Sequence, residues 1–249
     1  MFLDQASISK MSMGVHVQAK MSVAFGNLDA FSRWMGMDHS TDFHALGTLP
    51  HGGYSLLRST LESAGEVLWI LDSDLRKTRL RRLMMSAADE VINASRYFKS
   101  RGIDRTEEMA AKAEQYKAYS SGLGQCWSPF KVTTDGGLAS KVSVSNFLNE
   151  IRHRNQMPAD NFPSWESTWR ACSGAAHGQM WAILMLSERE DIGQRNADNS
   201  QTAHLYASYQ RLAFTLVSTV ELVACAYLRY FELASAPASS TGSVRGANR

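Results

Sequence analysis

The sequence is short of the residues that break helices. Only 5 prolines and 17 glycines occur in its 249 residues, whereas methionine occurs 12 times. Proline is the poorest helix former, so its scarcity favours helices. Hydrophobic residues make up 44% and charged residues 20% of the chain, which is ordinary for a globular protein with a substantial core.

Cysteine is scarce as well. Cys126, Cys172 and Cys225 stand far apart and form no C-x-x-C pair, so neither a disulfide framework nor a zinc knuckle is indicated. A reducing cytoplasm is the simplest setting for such thiols, and we predict a cytoplasmic protein. The first ten residues contain Asp4 and lack a basic segment followed by an apolar one, so no signal peptide is predicted.

Neither charge nor hydropathy is concentrated along the chain. The net charge is +2, and Arg245 and Arg249 near the C-terminus account for it, so a globally basic nucleic-acid binder is not indicated. The most apolar stretch, residues 212–227, is interrupted by Glu221 and three hydroxyl side chains. We therefore predict no membrane span and no membrane partner.

Apolar residues recur at intervals of three and four through most of the chain, which is the spacing of amphipathic helices. Residues 120–143 instead carry many turn-forming residues and predict a long loop, with a short strand near residues 131–133. The predicted helices cover residues 15–35, 54–71, 74–100, 106–118, 144–154, 164–187 and 201–232.

These helices predict an all-α protein, a single-domain helical bundle that spans residues 14–233. The last helix, residues 201–232, is long and apolar, so we predict that it is the spine of the bundle. Residues 1–13 show no period and are predicted to be a poorly determined N-terminal arm. Residues 234–249 are small and polar and are predicted to be a disordered tail.

Three histidines, His39, His44 and His51, lie close together in a region rich in turn residues. Imidazole is a common metal ligand, but the spacings match no zinc-ligand pattern. Histidines in loops are usually solvated. We therefore predict neither a metal nor a cofactor for this protein.

The predicted helix 164–187 holds a compact set of chemically able residues. Ser164 is placed to cap its N-terminus. An apolar column from Trp169 to Ile183 is expected to dock on the core, which places a neighbouring polar column at the core margin. That polar column consists of Glu166, Arg170, Ser173, His177, Trp181 and Leu184.

The predicted helix 54–71 has a similar design. Its apolar stripe is edged by Arg58 and Glu62, which are four residues apart and can form an ion pair. If this helix packs beside helix 164–187, the two polar columns meet and neutralise each other's charges.

A basic run opens the predicted helix 74–100. Its five basic residues face one acid, Asp74, so the local surplus is four positive charges, enough to attract a phosphate backbone. The alternative interpretation is a solvated helix face. The run consists of Arg76, Lys77, Arg79, Arg81 and Arg82.

Two short motifs carry a resemblance to a known group. They are R-S-x-x-E, with Arg58, Ser59 and Glu62, and W-R-x-x-S-x-x-x-H-G, with Trp169, Arg170, Ser173, His177 and Gly178. This pattern resembles uncharacterised bacterial helical proteins with HEPN-like features. The HEPN superfamily implies a helical bundle, a homodimer, and RNA cleavage without metal by an Arg and a His separated by a short spacer. Here six residues separate Arg170 and His177.

The first hypothesis is therefore a metal-independent RNase, or a degenerate relative, with its site in a dimer cleft. His177 would transfer a proton, Arg170 would stabilise the charge on the phosphate, Ser173 would assist, and the basic run would contact the RNA. Ala171 replaces the polar residue that commonly follows the Arg, and Gly174 lies within the spacer. Both departures fit a scaffold that persists without the nuclease.

The alternative is a non-catalytic interaction or regulatory module. In it, Arg58, Glu62, Arg170 and His177 form a structural polar cluster, with Arg170 paired to Glu166 or Glu62 and His177 bonded to Ser173 or a backbone carbonyl. Aromatic helix faces would then bind a partner. A small-ligand pocket between the polar columns is a third hypothesis, for which no residue identifies a ligand.

Overall fold

The computed structural model describes residues 13–36, 51–122, 131–132, 138–139, 142–155, 163–196 and 201–235. Helices dominate these residues, which confirms the predicted all-α bundle with a long C-terminal helix. The helices are α1 Met13–Trp34, α2 His51–Leu71, α3 Arg76–Ser100, α4 Thr106–Gly122, α5 Val144–Asn155, α6 Trp165–Ala176, α7 Met180–Leu186 and α8 Tyr209–Ser235.

Helix α2 forms the centre of the bundle. It packs against α1, α3, α5, α6 and α8. Its predicted stripe is buried, and so is the stretch Val67–Leu71 on every side, because neighbouring helices cover all of its faces. A side chain at Gly65 would place its Cβ 2.6 Å from Leu148 Cδ2, so this glycine lets α5 approach closely. The predicted spine, the C-terminal helix, is thus a flanking helix.

One large buried cluster draws side chains from α1, α2, α3, α5, α6, α7 and α8. A second, smaller cluster joins α3 to α4 and includes Met84, Ile92 and Tyr116. Helix α4 therefore lies at the periphery of the bundle.

Two antiparallel hairpins accompany the helices. Strands β1 (Lys131–Val132) and β2 (Leu138–Ala139) pair where the sequence predicted a short strand within a loop. Strands β3 (Ser187–Ile192) and β4 (Thr202–Ala207) pair over their full length, with Ser187 opposite Ala207.

The second hairpin corrects one prediction. The C-terminal helix begins at Tyr209 rather than at residue 201, because residues 202–207 form strand β4. Leu205 keeps helical spacing with Tyr209, but its backbone pairs across the hairpin with Arg189. Pairing between distant segments satisfies these backbone groups, and the periodicity of one segment does not reveal it.

Helix α8 buries one side against α2 and exposes the other. Among the described helices, it is the one that is long and apolar enough to cross a membrane by length and composition. The absence of a membrane partner and the cytoplasmic location therefore stay predictions.

Several predictions fall on residues outside the described part of the chain. Residues 1–12 of the predicted arm and residues 236–249 of the predicted tail lie there, whereas Met13 begins α1 and Ser235 ends α8. His39 and His44 lie there too, and His51 is the first residue of α2. Among the described residues, no group of three His, Cys, Asp or Glu is placed to hold a metal ion.

Candidate functional site

The candidate site begins with the shape of α6. Ser164 caps its N-terminus as predicted, because its Oγ accepts a hydrogen bond from the backbone N–H of Ser167 at 3.1 Å. The helix ends at Ala176, so the predicted continuous helix 164–187 is wrong. His177 and Gly178 form the turn that separates α6 from α7.

The turn is a Schellman motif. Gly178 has a φ of +66° and donates its N–H to the carbonyl of Ala175 at 3.0 Å, while Gln179 donates to the carbonyl of Gly174 at 2.8 Å. Helix α7 then folds back against α6. A Cβ at Gly174 would lie 2.6 Å from Ala182 Cβ, so the small residue within the motif permits this contact.

The break in the helix changes which residues share a face. Cys172 is buried as predicted, but Met180, placed on the same apolar column, is 63% exposed. Trp181 and Leu184 are exposed as well. The predicted columns therefore hold for α6 alone.

His177 faces α2. Its Nε2 lies 3.1 Å from Arg58 Nη1. A guanidinium can only donate, so Nε2 must accept this bond and carries no proton in this arrangement. The imidazole itself is exposed to solvent.

Glu62 links the same two helices. Its Oε1 accepts one hydrogen bond from Arg58 Nε and another from Trp169 Nε1, both at 2.8 Å. The predicted Arg58–Glu62 pair is therefore present. We call these residues, Arg58, Glu62, Trp169 and His177, the α2–α6 cluster.

Arg170 belongs to a different group of contacts, the α5–α6 cluster of Ser145, Glu166 and Arg170. Its Nε lies 2.5 Å from Glu166 Oε1, and its Nη2 donates to Ser145 Oγ at 3.0 Å. Ser145 Oγ in turn donates to Glu166 Oε1 at 2.7 Å. Of the two carboxylates offered by the sequence as partners of Arg170, the structure selects Glu166.

The third predicted catalytic residue, Ser173, is half-buried in the last turns of α6. Its carbonyl accepts the backbone N–H of His177 at 3.1 Å, as part of the end of α6. The imidazole of His177 contacts Arg58 instead of the Ser173 side chain, which corrects the predicted pairing.

The two clusters carry no surplus charge. Each arginine forms an ion pair with a carboxylate four residues away, Arg58 with Glu62 and Arg170 with Glu166. RNA binding depends on positive charge that remains available to phosphates. The immediate surroundings of His177 do not provide it.

The predicted nucleic-acid run does not form one surface. Arg82 is buried, with Nη1 bonded to the Trp69 carbonyl and Nη2 paired with Glu150, so it cannot contact RNA. Arg79 Nη1 donates to the carbonyl oxygens of Ser73 and Asp74, at 2.6 and 2.9 Å. These bonds hold Arg82 inside the bundle, whereas Arg79 is only partly buried, and RNA contact by the rest of the run stays a prediction.

Three basic residues of the run, Arg76, Lys77 and Arg81, are exposed. They follow the C-terminal end of α2, and Arg58 lies about 20 Å away along that helix, given a rise of about 1.5 Å per residue. The run and the polar clusters are therefore separate features of the surface.

Sequence reasoning missed a partly buried chain of polar contacts between α1, α2 and α3. His16 Nε2 lies 2.7 Å from Ser86 Oγ, and Ser86 donates to Glu66. Lys20 completes the chain, with its Nζ 3.1 Å from both Glu66 and Glu90. Burial lowers the pKa of His16, opposed by Glu90 and Glu66 and aided by Lys20. Only the four-residue spacing of His16 and Lys20 was visible in the sequence.

No family model, curated protein or solved structure matches the chain. The resemblance to HEPN-like proteins therefore rests on the two short motifs, and any activity is a proposal from the geometry.

Proposed function

We propose that this chain is a non-catalytic helical module that acts by binding protein. The observation that carries the proposal is the exposed face of α8, where Val217, Val220, Tyr227, Leu228 and Phe231 are each 46–59% exposed. Contiguous apolar surface of this kind marks interaction sites.

In this proposal the polar clusters are structural. The α2–α6 cluster fastens the end of α6 to the central helix, and the α5–α6 cluster fastens its first turns to α5. Every charged group in them has a partner of opposite sign or a hydrogen bond, which is what polar groups at a core margin require. The neutral charge balance supports this role over RNA binding.

A specific observation also favours a second candidate, a metal-independent RNase. His177 is exposed at the end of α6, and Arg170, with 59% of its side chain exposed, lies on the same helix. Their positions are seven apart along the chain, which is about 10 Å along the axis. In this candidate His177 Nε2 leaves Arg58 to take the proton of a 2′-hydroxyl, and Arg170 leaves Glu166 to bind the phosphate.

Degradation of RNA by the purified full-length chain in the presence of EDTA separates the two candidates. The variants are His177→Ala and Arg170→Ala, and His204→Ala in strand β4 is the matched control, since His204 is also exposed. We expect no cleavage by any of them. Cleavage that both cluster variants abolish and the control retains would overturn the non-catalytic proposal.

The structural role has its own readout. Glu62→Ala removes the acceptor of two hydrogen bonds, and we expect it to lower the free energy of unfolding by about 1–2 kcal/mol, since its carboxylate is partly solvated. Glu190→Ala, at an exposed position of strand β3, is the control and should change it by less than about 0.5 kcal/mol. Equal stability of the two variants would contradict the structural role.

A further inference from the structure

One face of α8 carries a row of exposed apolar residues at alternating intervals of three and four. We call this row the α8 seam. The spacing is that of a helix which packs against another helix along its length. The seam consists of Ala213, Val217, Val220, Ala224, Tyr227 and Phe231, all of which are exposed.

We infer that the partner of the seam is a second copy of this chain. Its α8 packs antiparallel to the first, about a two-fold axis that passes beside residue 222. The inference rests on the proposed function as a protein-binding module and names its partner.

The order of small and large residues along the seam supports this register. Across the axis, Ala213 faces Phe231 of the second copy, Val217 faces Tyr227, and Val220 faces Ala224. Every layer thus pairs a larger side chain with a smaller one, so the two faces can interdigitate at the density of a protein interior. A parallel pairing would set Phe231 against Phe231 and alanine against alanine, which crowds one layer and leaves another empty.

The charged residues at the two ends of α8 lie outside the seam, because Arg211 lies near Tyr54 of α2 and Glu232 pairs with Arg229 at 3.2 Å. Glu221 is the acidic residue beside the seam near the axis, and it approaches its own copy in the antiparallel register.

The available area is sufficient for a dimer. The half-exposed Val217, Val220, Tyr227, Leu228 and Phe231 each offer up to about 100 Å², roughly half of what an aromatic side chain buries. With the flanking residues, two copies would bury up to about 1,200 Å², which is the lower limit of the range of specific interfaces.

A lipid surface fits the same face less well. Helices that bind membrane surfaces carry rows of Lys and Arg beside their apolar face. On α8 the basic residues are Arg211 and Arg229, and Arg229 is bonded to the Leu71 carbonyl and to Asp74. The side opposite the seam buries Thr215, Ser218 and Thr219 in the bundle.

Sedimentation equilibrium of the full-length chain tests the dimer. We expect twice the 27.6 kDa chain mass for the wild type. Val217→Glu should weaken the dimer by at least about 100-fold, because it places a charge in the apolar contact. Val23→Glu is the matched control, because Val23 is 48% exposed and also apolar. Val23 lies on the opposite side of α1 from Phe25, and Phe25 packs on Tyr227. The dissociation constant of the Val23→Glu dimer should therefore equal that of the wild type. Both variants must keep the wild-type far-ultraviolet circular dichroism spectrum.

Disulfide crosslinking tests the register. A chain with both Val220→Cys and Ala224→Cys should form covalent dimers under mild oxidation, because these positions face each other across the axis. The single variants should not, and the wild type controls for native thiols such as Cys225. Glu221→Gln should tighten the dimer several-fold by removing the like-charge approach. Crosslinking by the single variants at the level of the double one would overturn the antiparallel register.

A wild-type chain that sediments as a monomer would overturn the inference. If such a monomer co-floats with phosphatidylcholine–phosphatidylserine vesicles and Val217→Glu abolishes flotation, the face binds lipid instead. Sedimentation and flotation measure association, whereas the RNA assay measures cleavage. A failure of the dimer inference can therefore be distinguished from a failure of the non-catalytic proposal.

Discussion

Replacing Arg82 with alanine should lower the stability of the junction between α2, α3 and α5. Arg82 is 4% exposed, and its guanidinium carbon lies 5.3 Å from the centroid of the Trp69 ring. Its two terminal nitrogens contact the Trp69 carbonyl and Glu150, and Trp69 Nε1 donates to Glu150 at 2.8 Å. Alanine would remove the ion pair, the backbone contact and the packing on the indole together.

The expected loss follows from how deeply the pair is buried. Breaking a buried ion pair by removing one partner costs about 3–5 kcal/mol. The Glu150 side chain is 42% exposed, so water can replace part of what it loses, and we expect about 2–3 kcal/mol. For a chain of this size each kcal/mol shifts Tm by about 2–4 °C, so Tm should fall by about 5–10 °C.

Thermal and urea denaturation followed by circular dichroism measure this effect. Lys77→Ala, at an exposed position on the same helix, is the control and should stay within about 0.5 kcal/mol of the wild type. Arg82→Lys keeps the charge but not the two-pronged geometry, so it should fall between them. A loss in Arg82→Ala no larger than that of Lys77→Ala would show that Arg82 is not a core residue.

Three further predictions concern single positions. Gly178→Ala should destabilise the protein by about 1–2 kcal/mol, because Gly178 has a φ of +66°. Gly26→Ala should stabilise it by about 0.5–1 kcal/mol, because Gly26 lies in a helix interior where an added Cβ meets no other atom. Chemical denaturation measures both changes in the free energy of unfolding. Burial holds the folded-state pKa of His16 below 6.5, so the unfolded chain binds a proton at His16 more tightly than the folded chain does. The free energy of unfolding should therefore be unaffected by His16 above pH 6.5 and should fall as the pH drops below that value. Thermal melts measured across this pH range should show a weaker pH dependence for His16→Gln than for the wild type. Burial raises the pKa of Cys172 to about 12, so its thiol should not react with iodoacetamide in the folded chain at pH 8. Mass spectrometry should find Cys172 unmodified in the folded chain and alkylated in urea. Rapid alkylation of the folded chain would contradict the burial of Cys172.

Local sequence patterns were enough to predict much of the fold. The periodicity of apolar residues predicted α1 through α5 to within a few residues, and the stripe of α2 is buried as predicted. The Arg58–Glu62 pair was predicted as well, and Glu166 was one of the two partners predicted for Arg170. Their members are four residues apart, and a helix alone brings such residues together.

The candidate site could be predicted from the sequence only in part. Its motif residues could be picked out in the sequence, whereas the side-by-side placement of α2 and α6 was a condition of the hypothesis and came from the tertiary structure. The end of α6 at Ala176 was missed although Gly178 signalled it, because the apolar spacing continues through the turn. The role of Ser145 had no signal in the sequence, since it reaches Arg170 from a separate helix.

The amino-acid sequence by itself determined helices α1 to α5 to within a few residues, the buried stripe of α2 and the Arg58–Glu62 ion pair within one helix. Tertiary structure alone decided that Arg82 is a core residue and not part of a basic surface, and that His177 bonds to Arg58 from 119 residues away. It also decided that residues 202–207 pair as a strand and that one apolar face of α8 stays exposed. The reason is physical. Helical hydrogen bonds and neighbouring side chains act over four residues, whereas burial and strand pairing depend on which distant segments pack together.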